Sequence, residues 1–376
     1  MTHIEQMIQD MCPNGVEFKT LGEVCTIETG KLNANAAEEN GQYPFFTTSK
    51  EISYINEYKW DTEALLIAGN ANIGDVKHYI GKFNAYQRTY VLTNFQNGLI
   101  GRFLYHYTKA RLKDFLDDKK NEAAMSYIVL SSLQAFPIPL PPIEIQKKIV
   151  ECLDKFSALA AELQAELQLR RKQYEYYRTQ LLTPHSDCNS ATKSDDCNWE
   201  WKTLGEICEI NRGVRVVRSE LEQEGKYPVY QNSLTPLGYY DKCNYPANTT
   251  FIISAGAAGK VGYSDVNFWA ADDCLCIKCP EALNAKFLFY YMLDKQDFFL
   301  SQVRHASVPR MSRTIVENFK IPLPPLAEQA RIVSILDKFE ALTTSLSDGI
   351  PAEQAAQQKR YEYYRDLLLT FDRKAV

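Results

Sequence analysis

Cysteines and two glycine-rich turns are the residues of this 376-residue chain whose types and spacing come closest to known chemistry. Cys274, Cys276 and Cys279 are spaced closely enough to bind zinc, but the first half of the chain has no matching set and no clear fourth ligand accompanies them. Residues 69–74 and 254–260 are similar to a phosphate-binding loop, but each lacks part of its glycine, lysine and hydroxyl pattern. We therefore predict tight backbone turns there and no metal site.

Histidine, the commonest general acid or base, is scarce in the chain. The histidines are His3, His78, His106, His185 and His305. The chain is an internal repeat, and no histidine of one half is matched by a histidine at the equivalent position of the other half. No paired carboxylate, Cys-His or Ser-His arrangement recurs in both halves either. Because an enzyme built by duplication would usually repeat its catalytic residues, the sequence predicts a chain that catalyses nothing on its own and holds no cofactor.

The chain consists of two copies of one unit of about 185 residues. VEFKTLGEVCTIETG at 16–30 returns as WEWKTLGEICEINRG at 199–213, with nine of fifteen positions identical. FPIPLPPIEIQKKIVECLDKF at 136–156 returns as FKIPLPPLAEQARIVSILDKF at 319–339, with thirteen of twenty-one identical. Self-similarity on this scale predicts two copies of one fold.

The segments between these blocks, 31–135 and 214–318, are each 105 residues long but share only scattered residues. Short apolar runs bounded by Gly, Asn and Asp predict strands, and one amphipathic stretch in each segment predicts a helix. Each segment is therefore predicted to be a compact α/β domain. The predicted strands include 64–68, 86–93, 250–254 and 273–278, and the predicted helices are 103–115 and 287–300.

Each copy ends in a long amphipathic helix. A third repeated block, RRKQYEYYRTQLLT at 170–183 and QQKRYEYYRDLLLT at 357–370, continues an apolar seam with heptad spacing. In the first copy the prolines before the seam exclude an earlier start, so the helix is predicted from near Pro142 to Thr183. In the second copy Gly349 and Pro351 predict a kink or break. The seam residues are Ile149, Leu153, Phe156, Ala160, Leu163, Leu167, Tyr174, Tyr177 and Leu181, then Ile332, Leu336, Phe339, Thr343, Leu346, Tyr361, Tyr364 and Leu368.

Two helices with matching apolar stripes are predicted to pack against each other. The alternative is that each stripe packs only on its own globular domain. The polar, aperiodic residues 184–198 are predicted to be a linker. The predicted divisions of the chain are therefore 1–142 and 185–325 for the two globular domains, and 143–184 and 326–376 for the two long helices.

Charge alone does not favour nucleic acid, since 42 basic and 47 acidic residues give a net charge of −5. No region is strongly acidic or strongly basic, so a DNA-binding surface would need local clusters such as 212–218 and 304–313. We then expect the isolated chain to bind DNA weakly. The composition excludes a disordered chain, no apolar stretch could span a membrane, and no export signal opens the sequence, so a cytoplasmic protein is expected.

In this order, and occurring twice, the motifs resemble the specificity (S) subunits of type I restriction-modification systems. The resemblance covers nearly the whole chain. The chain departs from the family pattern in two ways: Ile145 stands where a glutamate would be expected, and the chain is short overall. The motifs that carry it are KTLGE at 19–23 and 202–206, IPLPP at 138–142 and 321–325, Glu328-Gln329, RKQYEYYR at 171–178 and KRYEYYRDLLL at 359–369.

The resemblance implies a non-catalytic DNA-reading subunit with an α+β fold. Two globular α/β target recognition domains would be joined by two long helices that form an antiparallel coiled coil, with an internal pseudo-twofold repeat. The implied partners are double-stranded DNA, two methylation (M) subunits and, in the full enzyme, restriction (R) subunits. S-adenosylmethionine, ATP and magnesium would bind those partner subunits and not this chain.

Antiparallel pairing of the helices predicts the form of the DNA site. Each domain would read one half of a bipartite site, and the halves should differ because the variable segments differ. A helical spacer of about 50 Å predicts half-sites about one to one and a half DNA turns apart, centre to centre.

Basic residues in predicted loops are the candidates for DNA contact, because Arg suits guanine edges and Lys suits phosphate. Each could equally be an ordinary surface charge. Tyr43, Tyr86, Tyr227 and Tyr230 could stack on DNA, although a core position is favoured. The DNA-binding candidates are Lys31, Lys50, Lys77, Arg88, Arg212, Arg215, Arg218, Lys260, Arg304, Arg310 and Arg313.

The charged positions of the third repeated block are candidates for docking a partner subunit, although solvated helix faces are the more common explanation of such charges. They are Arg171, Lys172, Glu175, Arg178, Glu362 and Arg365. The alternative function is a non-catalytic scaffold whose two domains hold proteins or ligands at a fixed distance, with no DNA.

Overall fold

The computed structural model describes residues 3–119, 127–183, 199–305, 307–344 and 349–374. The predicted linker 184–198 and the seam residue Leu346 lie outside the described residues. The chain divides into two compact units. Unit 1 comprises residues 1–164 and 353–376, and unit 2 comprises residues 165–352.

The elements follow one order twice. The first part of the chain contains α1 (His3–Met11), β1 (Phe18–Thr20), α2 (Leu21–Val24), β2 (Thr26–Thr29), β3 (Tyr43–Phe46), β4 (Ser53–Ile55), β5 (Trp60–Ala68), β6 (Val76–Ala85), β7 (Thr89–Thr93), α3 (Gly101–Lys119), α4 (Leu130–Gln134), β8 (Pro137–Pro139) and α5 (Ile143–Leu182). The second part contains β9 (Glu200–Thr203), α6 (Leu204–Ile207), β10 (Glu209–Arg212), β11 (Tyr227–Tyr230), β12 (Gly238–Tyr240), β13 (Thr249–Ile253), β14 (Val261–Ser264), β15 (Trp269–Ala270), β16 (Cys274–Lys278), α7 (Ala285–Asp294), α8 (Gln296–Ser301), α9 (Arg313–Glu317), β17 (Lys320–Leu323), α10 (Leu326–Thr344) and α11 (Ile350–Leu368).

The main sheets of the two units have equivalent strand orders. In unit 1 six strands lie in the order β2-β7-β5-β6-β3-β4, and only the β3–β6 pair is parallel. In unit 2 the long strand β6 is replaced by two strands, so that β10-β16-β13-β14 and β12-β11-β15 form separate sheets. The parallel contact is retained between β11 and β15. Mixed sheets with helices packed on them confirm the predicted α+β class.

The central strand of each main sheet is buried on both faces, which explains why its sequence is continuously apolar. In β5, Leu65 and Ile67 join a core with α3, whereas Ala64 and Leu66 join an aromatic cluster. Alternate residues of a strand point to opposite faces, so both faces are covered. In unit 2, Ile252 in β13 lies in the helix-side core.

The long helices contribute to the core of each unit. Ile145, Ile149 and Leu153 of α5 are fully buried in the core of unit 1, which also contains Leu368 of α11. In unit 2, Leu182 at the end of α5 packs in the core that contains residues of α10. The C-terminal helix of the second repeat therefore packs with the first globular domain.

Each unit contains one antiparallel helix contact. In unit 1 the rings of Phe156 and Tyr364 lie 5.4 Å apart, and Gln354 donates a hydrogen bond to Gln164. In unit 2 Tyr177 stacks on Phe339 with 5.5 Å between ring centroids. The helices thus contact each other along the predicted seam. The finer prediction of a coiled coil stays a prediction.

Several predicted boundaries are corrected. The predicted helix 287–300 is two helices, α7 and α8, which meet at the non-helical Lys295. The predicted strand 86–93 begins only at Thr89, because Thr89 N donates to Tyr86 O in a turn. Gly349 is not helical, and α11 begins directly after it with Pro351 in its first turn, where the missing N–H costs no helical hydrogen bond.

Candidate nucleic-acid interface

The KTLGE and IPLPP motifs pair with each other in both units. Strand β1 pairs antiparallel with β8, and β9 pairs antiparallel with β17. The threonine and glutamate of KTLGE form a capping box at the next short helix, in which Thr20 N donates to Glu23 at 2.7 Å and Thr203 N donates to Glu206 at the same distance. The two motifs therefore bring both ends of each variable segment together.

A buried glutamine fixes the start of the long helix in each unit. Gln146 donates to Gly98 O and Pro141 O, both at 2.8 Å, and accepts from Ile100 N. Gln329 makes the same three bonds in unit 2. Both side chains are fully buried. The glutamine of the family motif thus binds the helix to its globular domain.

A loop junction, defined as residues 69–75, 87–88 and 127–128, lies where β5 ends and β6 and β7 begin. Gly69 N donates to Arg88 O at 2.9 Å, and Ile128 N donates to Gly69 O at 2.7 Å. Gly74 N closes the turn on Ala68 O at 3.1 Å. The glycine-rich turn is therefore held on two sides by backbone.

The loop junction of unit 2, defined as residues 254–260, 272–273 and 310–311, has the same hydrogen bonds. Ser254 N donates to Asp273 O at 2.7 Å, Met311 N donates to Ser254 O at 2.9 Å, and Gly259 N donates to Ile253 O at 2.8 Å. Gly74 and Gly259 have φ near +80°, where glycine is favoured. The prediction of tight backbone turns is confirmed.

The exposed side chains differ at almost every equivalent position of the two junctions. Arg88 in unit 1 corresponds to Asp273 in unit 2, because each accepts the same backbone hydrogen bond. By the same criterion Asp75 corresponds to Lys260. Tyr127 corresponds to Arg310, because each forms a bridge with the second residue of the glycine-rich turn. One backbone arrangement thus presents two chemically different surfaces.

Each junction contains a buried oxygen without a hydrogen-bond partner among the described residues. Among the described residues, Asn70 Oδ1 in unit 1 and Asp272 Oδ1 in unit 2 are buried and have no hydrogen-bond partner. A cavity of about 250 Å³ adjoins the unit 1 junction and is lined by Thr29, Gln87, Arg88 and Tyr127, among others. Buried polar atoms are rarely left unpaired, so both junctions have unused capacity for hydrogen bonds.

Arginines surround the acidic group of the unit 2 junction. Burial and the neighbouring Asp272 raise the pKa of Asp273, although Arg310 and Arg212 oppose that rise. Arg304 and Arg310 exchange two backbone hydrogen bonds, so they face each other directly across a short hairpin. Like charges placed opposite each other repel, and an anion near them would relieve the repulsion.

The predicted DNA-binding residues do not all lie together. Arg88 belongs to the unit 1 junction, whereas Lys260 and Arg310 belong to the unit 2 junction, with Arg212 and Arg304 beside it. Lys50 is exposed near the unit 1 junction, since the adjacent Ser49 O accepts from Lys77 Nζ. Lys31, Arg215 and Arg218 are exposed elsewhere in their loops.

Two of these candidates already form ion pairs within the chain. Lys77 forms an ion pair with Asp75 at 2.8 Å and is only 20% exposed. Arg313 forms an ion pair with Glu317 one turn along α9, which packs against α6 and not in the junction. Sequence reasoning missed Gln87, Tyr127 and Asp272, because they come from segments distant from the glycine-rich turns and meet them only in the fold.

Some of the partner-binding candidates are exposed, and others form ion pairs within the chain. Arg171, Lys172 and Glu175 are exposed on α5, and Glu362 is exposed on α11 with a hydrogen bond from Gln358. Arg178 was predicted to point away from the seam to a partner, but it is 18% exposed and forms an ion pair with Asp294 inside unit 2. Arg365 likewise forms an ion pair with Asp366.

The remaining candidates for chemistry have structural roles. Cys274 and Cys276 are fully buried in β16, and burial raises the pKa of the Cys274 thiol to about 12. No group of three metal-ligating side chains occurs among the described residues. Tyr230 packs on Phe251 at 5.0 Å, as favoured for a core tyrosine. In the described part of the chain, no helix is long and apolar enough to cross a membrane.

Fold and junctions together define a protein with two related domains that share one backbone arrangement and differ in the side chains around it. A family model described as type I restriction modification DNA specificity domain matches residues 13–169 and again 197–354. The chain therefore belongs to the family of type I restriction-modification specificity subunits, which supply sequence-specific DNA recognition and not catalysis.

Relatives cover the full length of the chain. A putative type I restriction enzyme specificity subunit of Haemophilus influenzae is 31% identical over 401 residues, covering 98% of both chains. The EcoR124I/EcoR124II specificity subunit of Escherichia coli is 30% identical and covers 99% of this chain and 97% of its own. The crystal structure of a type I S subunit from M. genitalium matches with a TM-score of 0.63 at 18% identity, covering 94% of this chain and 95% of that chain, which supports the fold.

Proposed function

We propose that each unit reads one half of an asymmetric bipartite site on double-stranded DNA through its loop junction. The observation that carries this proposal is that the two junctions have the same backbone hydrogen bonds but different exposed side chains. A duplicated reader that must recognise two different sequences needs this combination of a constant scaffold and variable contacts.

The basic residues around the junctions are proposed to hold the DNA. Arg304 and Arg310 would neutralise phosphate, and Lys50 would do so in unit 1. With a net charge of −5, the chain has no broad basic surface, so DNA binding is proposed to depend on partner subunits. Lys31, Arg215 and Arg218 lie outside the junctions and would contribute little to DNA binding.

Two methylation subunits are proposed as partners, with restriction subunits in the complete enzyme, in the cytoplasm. Arg171, Lys172, Glu175 and Glu362 remain the proposed contacts, because they are exposed on the long helices. S-adenosylmethionine, ATP and magnesium are proposed to bind the partners. The proposed division keeps 1–142 and 185–325 as readers and assigns the spacing of the half-sites to the helices in 143–184 and 326–376.

Exchange of residues 31–135 for the equivalent segment of a relative tests this proposal. Methylome sequencing of a host that carries the gene with its methylation partners should show one gapped adenine-methylation motif that depends on the gene. The exchange should change one half of that motif and leave the other half and the spacing unchanged. Deletion of the gene without any change in the methylome would favour the scaffold alternative and refute the proposal.

A further inference from the structure

One position of the loop junction has opposite chemistry in the two units. Arg88 and Asp273 accept the same backbone hydrogen bond from the first residue of the glycine-rich turn, so their side chains leave the backbone at equivalent points. Arg88 offers five N–H donors, whereas an ionised Asp273 offers only acceptors. Opposite hydrogen-bonding types at one point predict that the two units select opposite base edges.

The surroundings of Arg88 leave it available to a base. Arg88 is exposed, lines the junction cavity, and has no hydrogen bond or ion pair with its guanidinium among the described residues. Its neighbours in that cavity, Thr29 and Gln87, are uncharged. A lone arginine fork is the side chain best matched to the two acceptors of a guanine edge in the major groove.

The surroundings of Asp273 differ in a way that suits a carboxylate beside DNA. The carboxyl group accepts a hydrogen bond from Gln231 and is attracted by Arg310 and Arg212, whose positive charge would offset its repulsion by phosphates. Asp272 beside it adds a buried oxygen without a partner. A carboxylate in the major groove accepts from the cytosine amino group.

We propose that Arg88 determines a guanine in the half-site read by unit 1 and that Asp273 determines a cytosine in the half-site read by unit 2. This inference rests on the proposed function and adds the base type that each junction selects. Arg310 and Arg212 position the carboxylate and contact the backbone of the DNA.

Substitutions that remove the charge and change the hydrogen-bonding type test the proposal in the complete methyltransferase. Arg88→Gln should convert one guanine of the methylated motif to adenine or lose preference there, because a glutamine amide pairs with adenine. Asp273→Asn should shift one cytosine toward adenine in the other half. Each change should alter discrimination at that base by about 5- to 150-fold, measured from methylation of duplexes that differ only there.

Charge-preserving variants separate base reading from phosphate contact. Arg88→Lys keeps the charge but loses the fork, so it should lose the guanine preference as Arg88→Gln does. The control variants Lys113→Gln in unit 1 and Lys278→Gln in unit 2 lie at exposed positions outside the junctions and should leave the motif unchanged.

Three results would overturn the inference while the proposed function stands. They are an unchanged motif in both variants, an equal loss of methylation at all sequences, or both variants changing the same half-site. A wild-type protein that directs no gapped motif at all would instead refute the proposed function.

Discussion

Gln146 and Gln329 are uncharged side chains that each make three hydrogen bonds to backbone groups of their own unit. Each bonds two carbonyls and one N–H that lie at the start of a long helix and in the loop before a domain helix. Buried backbone groups need partners, and here a side chain supplies them from a different element. This explains why glutamine is kept in both copies while the residue before it changes from Ile145 to Glu328.

Replacing either glutamine should destabilise only its own unit. Gln146→Ala removes three hydrogen bonds, of which only the one to Pro141 O is fully buried, so we expect a loss of about 1–3 kcal/mol in the unfolding free energy of unit 1. Hydrogen-exchange mass spectrometry would measure the loss by unit. Gln329→Ala should act equally on unit 2, and Gln180→Ala, at an exposed position of α5, should act on neither; equal effects of all three would contradict this account.

His106 makes unit 1 sensitive to pH in a way that unit 2 is not. Its Nε2 lies 2.8 Å from Asp154 Oδ1, and Arg102 also binds that carboxylate at 2.7 Å. In unit 2 the equivalent positions are Tyr290 and Asp337, joined by a 2.6 Å hydrogen bond. Burial lowers the pKa of His106, although Asp154 partly opposes that fall. The pKa of Asp154 is also lowered, since its bonds to Arg102 and His106 outweigh its burial.

Stability of unit 1 should therefore fall in mildly acidic solution. A histidine whose folded pKa is depressed stabilises the fold above its unfolded pKa of about 6.5, and this contribution is lost as pH falls toward the folded pKa. His106→Gln, which can still donate to Asp154, should flatten the pH dependence of amide exchange in unit 1 below pH 6.5. Unit 2 serves as the internal control, and the same slope in both units would exclude this explanation.

The ends of the long helices bind their domains through ion pairs. In one unit the acid lies on the long helix, and in the other it lies on the domain. In unit 1 Asp366 of α11 is the acid, and Arg111 of α3 binds it at 3.6 Å. In unit 2 the acid is Asp294 of α7, which pairs with Arg178 and accepts from Thr179 of α5. The two helix ends have nearly the same sequence, so the position of the acid is what distinguishes them.

Burial should decide how much each acid contributes to the unfolding free energy of its unit. Asp294 is 3% exposed and Asp366 is 48% exposed. Asp294→Ala leaves the largely buried Arg178 without its acid, so we expect it to cost about 2–3 kcal/mol in unit 2, whereas Asp366→Ala should cost at most about 1 kcal/mol in unit 1. Chemical denaturation with exchange detection would rank them. Equal costs would show that the ion pairs do not fix the helix ends.

The internal repeat made the fold predictable, but it did not predict which residues form the loop junctions. The repeat, the heptad seam and the start of α5 after Pro142 follow from local pattern, because proline and periodicity act within a few residues. Grouping α11 with unit 1 is what antiparallel pairing of the long helices requires, but the contacts that hold its end, such as Asp366 with Arg111, could not be predicted because they join distant segments. Asp273 and Tyr127 were missed because contacts between distant loops leave no local pattern.

At the scale of the whole molecule, α5 is a single 40-residue helix that begins in unit 1 and ends in unit 2. Under the proposed function its length sets the distance between half-sites. The apolar seam repeats every seven residues, so insertions of seven residues keep the same face toward the partner helix.

Lengthening the helices by one heptad should therefore lengthen the gap in the DNA site. Seven residues inserted after Gln164 and seven after Ala352, where the two units divide, add about 10 Å, or about three base pairs. Methylome sequencing should show both half-sites unchanged and the spacer longer. Insertions of two residues are the matched control, because they rotate the seam by about 200° away from the partner helix and should abolish methylation. An unchanged spacer after the heptad insertion would contradict the proposed role of the helices.

Both variable segments begin and end in neighbouring strands, β1 with β8 and β9 with β17. A segment whose ends meet can be replaced without displacing anything outside it, provided that the new segment keeps the contacts to the long helices, such as those of Gly98 and Ile100 with Gln146. The stretches of gene that encode those strands are themselves repeated, as KTLGE and IPLPP. Recombination between such stretches would transfer a whole reading domain in one event, so a lineage could acquire a new DNA specificity without passing through a misfolded ancestor.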